Sequence, residues 1–308
     1  MEVVVNSLFP VIALIFAGMF LRRMGVLSEK FWPSAEKLTY YVLYPALLIK
    51  NLAERDLSAL PLQEIFITVE ATVLAAALVI TLWWLVNRKV DGTLFTSIFQ
   101  GGVRFNFYVA LALVQALFGA DGMFICIVAA SFMIVLINFL CVTAFALAVP
   151  DADGTGFNFT RFAKTLVTNP LLMGCVIGGL LNVAGIALTT PISNTLGLIG
   201  RAAVPLGLMA VGAATRSLPS RAQLTPLLVS SVVQFAFKPL VALSLILLTG
   251  IGGITASVIL ILFTIPTASS AYILSRQLGG DHETMATIVT FQTLLSFATL
   301  PFVIAYIA

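Results

Sequence analysis

The chain has 308 residues, of which 60% are apolar and only 9% charged, and its mean hydropathy is +1.09. Soluble globular domains carry about a quarter charged residues, so water is not the solvent of this chain. The net charge is only +3 and no run of like charge could track a phosphate backbone, which excludes a nucleic-acid role.

A hydrocarbon core about 30 Å thick needs about 20 apolar residues per helix. Breaks at polar or Gly/Pro-rich points then divide the chain into ten predicted spans, 3–21, 35–52, 65–87, 93–118, 122–148, 164–182, 192–214, 225–249, 254–278 and 284–307. The first span has an acidic start and its cations, Arg22 and Arg23, follow the apolar stretch. A cleaved signal peptide has the opposite order, so this reads as a retained span. Spans two and seven carry Pro45 and Pro205. The centre of span four reads GGVRFNFYVALA, and that of span nine FTIPTASSAYIL. The stretch 149–163, containing PDADGTGFNFTR, is the one clear linker. Cys126, Cys141 and Cys175 lie in apolar runs without metal-ligand spacing and read as small buried hydrophobes, so no metal site or cofactor is expected.

Lys and Arg should mark the cytoplasmic connections. Those after spans one, three, five, seven and nine hold Arg22, Arg23 and Lys30; Arg88 and Lys89; Arg161 and Lys164; Arg216 and Arg221; and Arg276. The alternate connections hold Arg55 among acids, then Asp121, then nothing charged. Both termini are therefore expected on the non-cytoplasmic side.

An odd number of spans per half inverts the second half relative to the first. An offset of 160 residues places Pro45 on Pro205, Asn106 on Pro266 and Asp121 on Asp281, and makes 1–148 and 161–308 equal in length. The expected architecture is an all-α membrane protein of two inverted five-helix repeats, 1–148 and 164–308, joined by the linker 149–163.

Non-helical backbone inside a bilayer survives only where protein or a water-filled cavity satisfies it. Gly101, Gly102 and Asn106 can interrupt span four, and Pro266 span nine, where Thr267, Ser269 and Ser270 add hydroxyls. Crossing at these breaks would aim two helix N-termini at one point, which suits a carboxylate. Ionisable groups inside spans cost about 2.5–3.5 kcal/mol each at the centre. Arg104, Lys238, Arg201 and Glu70 are the four that fall there. Arg104 and Lys238 read as substrate or coupling groups, and three cations against one anion leave positive charge for an anionic substrate to balance. Arg201 and Glu70 read equally as interface residues or as coupling or charge-pairing groups, and Glu70 as a proton carrier. The aromatics Phe107, Tyr108 and Tyr272 read as packing, with Tyr108 able to line the crossing.

The run of motifs YYVLYPALL, RFNFYVALALVQALFGADG, NPLLMGCVIGGLLNVAGIALTTP, AAVPLGLMAVGA and IPTASSAYILSRQLGGD resembles the auxin efflux carrier family, and within it the bacterial malonate or malate permeases, over essentially the full length. The resemblance implies spans four and nine broken and crossing at a carboxylate site. Carried onto this chain, that site is Asn106 with its neighbours and Pro266, Thr267, Ala268, Ser269 and Ser270. Spans one, two, six and seven would form a dimeric scaffold holding Pro45 and Pro205, past which spans three to five and eight to ten move as an elevator. The chain departs from the family in having no proline between Pro61 and Pro150; Leu113 stands where one is expected. The expected function is a secondary transporter of a small organic anion in the plasma membrane, a bacterial inner membrane. H⁺ and Na⁺ coupling both stay open. A sodium symporter of the bile-acid type, with Ser269, Ser270, Gln292 and Thr293 as oxygen ligands, and an anion channel are the alternatives. No HExxH, paired intramembrane aspartates or other enzyme signature is present.

Overall fold

The structure is a computed structural model and describes residues 2–87, 89–149, 168–215 and 223–307. Arg88, Arg161, Lys164, Arg216, Arg221 and most of the linker lie outside the described residues. Among those described no strand occurs. The helices are α1 (Glu2–Arg23), α2 (Phe31–Leu38), α3 (Tyr44–Ala53), α4 (Leu62–Val86), α5 (Gly92–Val103), α6 (Phe107–Ala148), α7 (Pro170–Val183), α8 (Thr190–Arg201), α9 (Ala203–Ala214), α10 (Leu224–Val232), α11 (Lys238–Thr249), α12 (Gly253–Thr264), α13 (Ser270–Gln277) and α14 (His282–Ile307). Among the described residues six apolar stretches are long enough to cross a bilayer, Val5–Arg23, Leu62–Val86, Gly92–Ala148, Thr190–Ala214, Leu224–Thr249 and His282–Ile307; Pro170–Val183 and Gly253–Thr264 are apolar but shorter. Phe9, Phe20, Leu78, Val86, Leu180, Leu248 and Phe302 stand exposed on the outside, a surface suited to lipid.

Prolines set the bends. A proline has no N–H to give the carbonyl four residues back, and its ring crowds that carbonyl. Ahead of Pro45 and of Pro239 the helix widens into π turns, Thr39–Leu43 and Val233–Phe237, which relieve the clash while α2 runs on into α3 and α10 into α11. Ahead of Pro205 one residue, Ala202, interrupts the regular α-helix between α8 and α9 while its backbone stays right-handed helical (φ −75°, ψ −16°).

Left-handed glycines make the sharp ends. Gly119 (φ +60°, ψ −142°) puts a kink within α6, one residue after the expected end of span four at 118. Gly25 (φ +67°) closes α1 with a Schellman cap, Gly25 N–H to Arg22 O (3.1 Å) and Val26 N–H to Leu21 O (3.3 Å).

Two sets of helices result. In one, α1 packs on α9 and α3 on α7 and α8; in the other, α4, α5 and α6 pack with α10, α11, α12 and α14. The first set rests on backbone approach. A Cβ on Gly18 would lie 1.9 Å from the Met209 carbonyl oxygen, and one on Gly212 1.8 Å from that of Ile15. Backbone cannot step aside as a side chain can. Gly18→Ala and Gly212→Ala should therefore each cost about 1–3 kcal/mol or more, read as a lower unfolding temperature in detergent. Gly179→Ala, with open space at its Cβ, should be neutral or slightly stabilising.

Candidate functional site

Helix α5 stops at Val103, Arg104 is extended (φ −71°, ψ 165°), and α6 starts at Phe107. Helix α12 stops at Thr264, Ile265 is extended (φ −84°, ψ 158°), and α13 starts at Ser270. The two breaks touch through the Asn106 N–H, which donates to the Pro266 carbonyl at 2.8 Å.

The break in α5 needs no proline, because Asn106 caps the helix that follows. Its Oδ1 accepts from the Tyr108 and Val109 N–H groups at 3.1 and 3.3 Å, which fixes a helix start there. Leu113 is fully buried inside α6. Gly101 and Gly102 do not interrupt the helix, contrary to the sequence expectation. They are helical and packed: a Cβ on Gly101 would meet Ser230 Cβ at 2.8 Å, and one on Gly102 would meet Ile80 Cδ1 at 2.5 Å.

Breaking a helix leaves its last carbonyls and the next helix's first N–H groups without partners, and several of these have a side-chain partner here. Gln292 accepts from the Thr267 N–H and donates to the Gly101 carbonyl, both at 3.0 Å. The Thr267 hydroxyl donates to the Gln100 carbonyl at 3.0 Å. Gln234 Nε2 donates to the Ile265 carbonyl. Lys238, fully buried, donates to Gln234 Oε1 at 2.8 Å and toward the Val103 and Arg104 carbonyls at 3.4 and 3.5 Å. These polar groups hold the two breaks as one unit.

On the other side of the crossing lies a cavity of about 60 Å³ whose walls include Arg104, Asn106, Tyr40, Asn169, Ser269 and Ser270. Arg104 Nη2 donates to Ser270 Oγ at 3.1 Å, and Nη1 lies 3.5 Å from Asn138 Oδ1. Arg104 Nε and Asn106 Nδ2 are buried and have no acceptor. This pocket shares Tyr40, Arg104, Tyr108, Asn138, Asn169 and Ser270 with a larger cavity of about 510 Å³ that reaches Glu36, Lys37 and Gln277. Its mouth is therefore at the end of the molecule formed by the start of α2, the start of α7 and the end of α13. Residues at that same end, Arg22, Trp32 and Arg276, line a neighbouring cavity of about 550 Å³.

Of the residues expected at the site, Arg104, Asn106, Phe107, Tyr108, Ala268, Ser269 and Ser270 share the small cavity. Pro266 and Thr267 stand behind it as backbone partners. Lys238 also stands behind it, its ammonium turned to carbonyls and not to the cavity. Glu70 is half-buried on α4 and lines none of these cavities. Arg201 is exposed and lines a separate cavity of about 480 Å³ with Lys50 and Gln115. Pro45 packs against Gly174 and Pro205 sits in α9. The sequence reading missed Glu36, which accepts from Ser269 Oγ at 3.2 Å, and missed Tyr40, Asn138 and Asn169. Asn138 carried a usable signal as a lone amide in the apolar run IVLINFLC, as did Asn169 as a cap before Pro170.

Residues 158–304 match the family model described as membrane transport protein. The second half of the chain is thus similar to membrane transport proteins. An uncharacterized transporter from Methanothermobacter thermautotrophicus is 23% identical to it over 301 residues, covering 96% of each chain. The match bears out, at the level of the family, the resemblance read from the motifs. Both similarities support a transporter among multi-pass membrane proteins, and a transporter implies a bilayer and a small substrate.

Proposed function

We propose that the transporter carries a small organic anion, a mono- or dicarboxylate of the malonate or malate kind, by elevator-type alternating access in the plasma membrane. The observation that carries this reading is the pair of buried donors without acceptors, Arg104 Nε and Asn106 Nδ2, on the wall of one cavity. An unmet buried donor costs about 1–3 kcal/mol, more when charged, so a ligand that brings acceptors there recovers that cost. A carboxylate brings two oxygens and no donor, and the start of α6 beside it adds a favourable dipole.

The elevator reading is supported by where the cavity lies. Tyr40 and Asn169 come from the α1, α3, α7, α9 side, and Arg104, Asn106 and Ser270 from the other helices. A displacement of one set past the other would change which end of the molecule the cavity faces. In the proposed ten-span arrangement, spans one, two, six and seven form the scaffold and the homodimer, and both termini face away from the cytoplasm. Arg22, Arg23, Lys30 and Arg276 then mark the cytoplasmic end.

Inverted repeats are supported at the same offset of 160 residues. Gly185 (φ +66°) closes α7 as Gly25 closes α1, with Gly185 N–H to Asn182 O (3.0 Å) and Ile186 N–H to Leu181 O (2.9 Å). Gly279 (φ +75°) answers Gly119. Gly178 meets the Ile49 carbonyl oxygen at positions 160 away from Gly18 and Met209, with the two halves exchanged.

The sodium-coupled alternative is disfavoured at Ser270, whose hydroxyl oxygen accepts from the Arg104 guanidinium at 3.1 Å and so places a fixed positive charge beside the candidate ligands. The other three already hold protein groups in place, Gln292 at Thr267 and Gly101, Thr293 at the Val289 carbonyl and Ser269 at Glu36.

Thermal stabilisation by carboxylates tests the site, because a ligand stabilises the state it binds. Malonate or malate should raise the unfolding temperature of the wild type saturably. Arg104→Ala should fold and need about 10–150-fold more ligand for the same effect, the worth of about 1.5–3 kcal/mol for a hydrogen bond to a charged group. An unchanged half-saturating concentration would remove Arg104 from the site.

A further inference from the structure

The crossing has two electrical faces, and only one of them is turned to the substrate cavity. Helix N-termini carry positive partial charge and C-termini negative. The starts of α6 and α13 lie on the cavity side with Arg104 and Asn106. The end of α5 lies on the opposite side, and there the Lys238 ammonium sits. Its three N–H groups meet three oxygens, Gln234 Oε1 (2.8 Å) and the Val103 and Arg104 carbonyls (3.4 and 3.5 Å). The face of Phe263 lies 5.6 Å from Nζ, within cation–π range. No carboxylate reaches the ammonium among the described residues. Gln234, one turn before Lys238, also holds the Ile265 carbonyl of the other break. An amide oxygen and two carbonyls from an interrupted helix are the kind of donor set that coordinates a small cation in broken-helix transporters.

We propose that this cage is a monovalent-cation site occupied by the protein's own lysine: Lys238 is a tethered cation that fixes the α5 end and, through Gln234, the α12 end, so the carrier needs no dissolved cation to form its anion site. The anion part of this statement rests on the proposed function above; the cage itself does not. Lys238 is a positioning residue, acting through the carbonyls of Val103 and Arg104 on the residue whose guanidinium faces the cavity.

Lys238→Ala removes the ammonium and leaves three buried oxygens unpaired in a space opened by the lost side chain. Ammonium, methylammonium, lithium or sodium should then bind where Nζ was. The test is thermal unfolding of purified wild type and Lys238→Ala at constant ionic strength, with choline chloride replaced stepwise by chlorides of those cations, each with and without malonate. The wild type should be indifferent to the cation. The variant should unfold earlier in choline and be stabilised saturably by at least one small cation. Its half-saturating malonate should be about tenfold or more above the wild type in choline and return toward it when the cation is added. A purely structural lysine predicts destabilisation without cation rescue.

A folded Lys238→Ala that no small cation stabilises overturns the proposal. Saturable stabilisation of the wild type by sodium overturns it as well. If Lys238→Ala cannot be isolated in choline, extraction in ammonium chloride should yield folded protein, and failure there overturns it. Lys238→Met fills the space with apolar atoms and should show no cation response; malonate binding at the wild-type level in that variant also overturns it. Should the wild type bind no carboxylate while Lys238→Ala still responds to small cations, the anion reading fails and the cage stands.

Discussion

Asn106→Asp should leave the transporter folded and nearly abolish carboxylate binding. The two atoms of the Asn106 amide have separate tasks. Oδ1 caps α6 by accepting from Tyr108 and Val109, and aspartate caps as well as asparagine. Nδ2 is the buried donor without a partner, and in N106D a carboxylate oxygen takes its place. Binding then loses a charge-assisted hydrogen bond worth about 1.5–3 kcal/mol. It also gains a like charge, whose repulsion at about 4 Å and an effective dielectric near 20 is about 4 kcal/mol. Together these exceed a thousandfold in affinity. Unfolding temperature measured beside malonate or malate titration separates the two effects. Near-normal binding by a folded N106D would mean that Asn106 is a cap and nothing more.

Gln292→Leu is expected to destabilise the crossing strongly while leaving the cavity wall untouched. It strands the Thr267 N–H and the Gly101 carbonyl away from water. Each costs about 1–3 kcal/mol, and about 2–6 kcal/mol is a large share of the 5–15 kcal/mol that holds a typical domain folded. Thr293→Val is the matched control. That hydroxyl donates only to Val289 one turn back in its own helix, so its loss should cost no more than about 1 kcal/mol. Thermal unfolding of the three proteins checks the order; equal melting of Q292L and wild type would show that the breaks are not held by this amide.

These two positions also show what a sequence can and cannot reveal about such a protein. Asn106 and Pro266 were legible because a polar residue and a proline inside an apolar span demand local compensation. The offset of 160 residues places them opposite each other, and in the structure they share a hydrogen bond. Gln292 was legible only as a possible ion ligand, because its partners belong to helices far away in the chain. Gly101 and Gly102 were misread as breakers: the same residue serves a broken helix and a tightly packed one, and only the neighbours, Ser230 and Ile80, distinguish the two.

Depth was legible, but direction was not. Arg104 and Lys238 both fall in the middle of their spans, and counting residues could not tell that one faces the cavity and the other faces carbonyls. The Gln234 and Lys238 pair, four residues apart on one helix, was the available hint. Glu36 escaped because it lies at the edge of a predicted span, where a carboxylate needs no explanation. With Lys238 held in an oxygen cage and Glu36 beside the cavity, an excess of buried positive charge no longer argues for an anion. That argument now rests on the two donors that lack acceptors.

The most direct test is counterflow of labelled malonate or malate in proteoliposomes loaded with the unlabelled acid, comparing the wild type with Arg104→Ala. The account predicts saturable counterflow by the wild type, competed by small mono- and dicarboxylates and unaffected by replacing sodium with choline, and its loss in R104A at the same substrate concentration. Counterflow that survives Arg104→Ala unchanged, or a wild type that exchanges cations and no carboxylate, would contradict it.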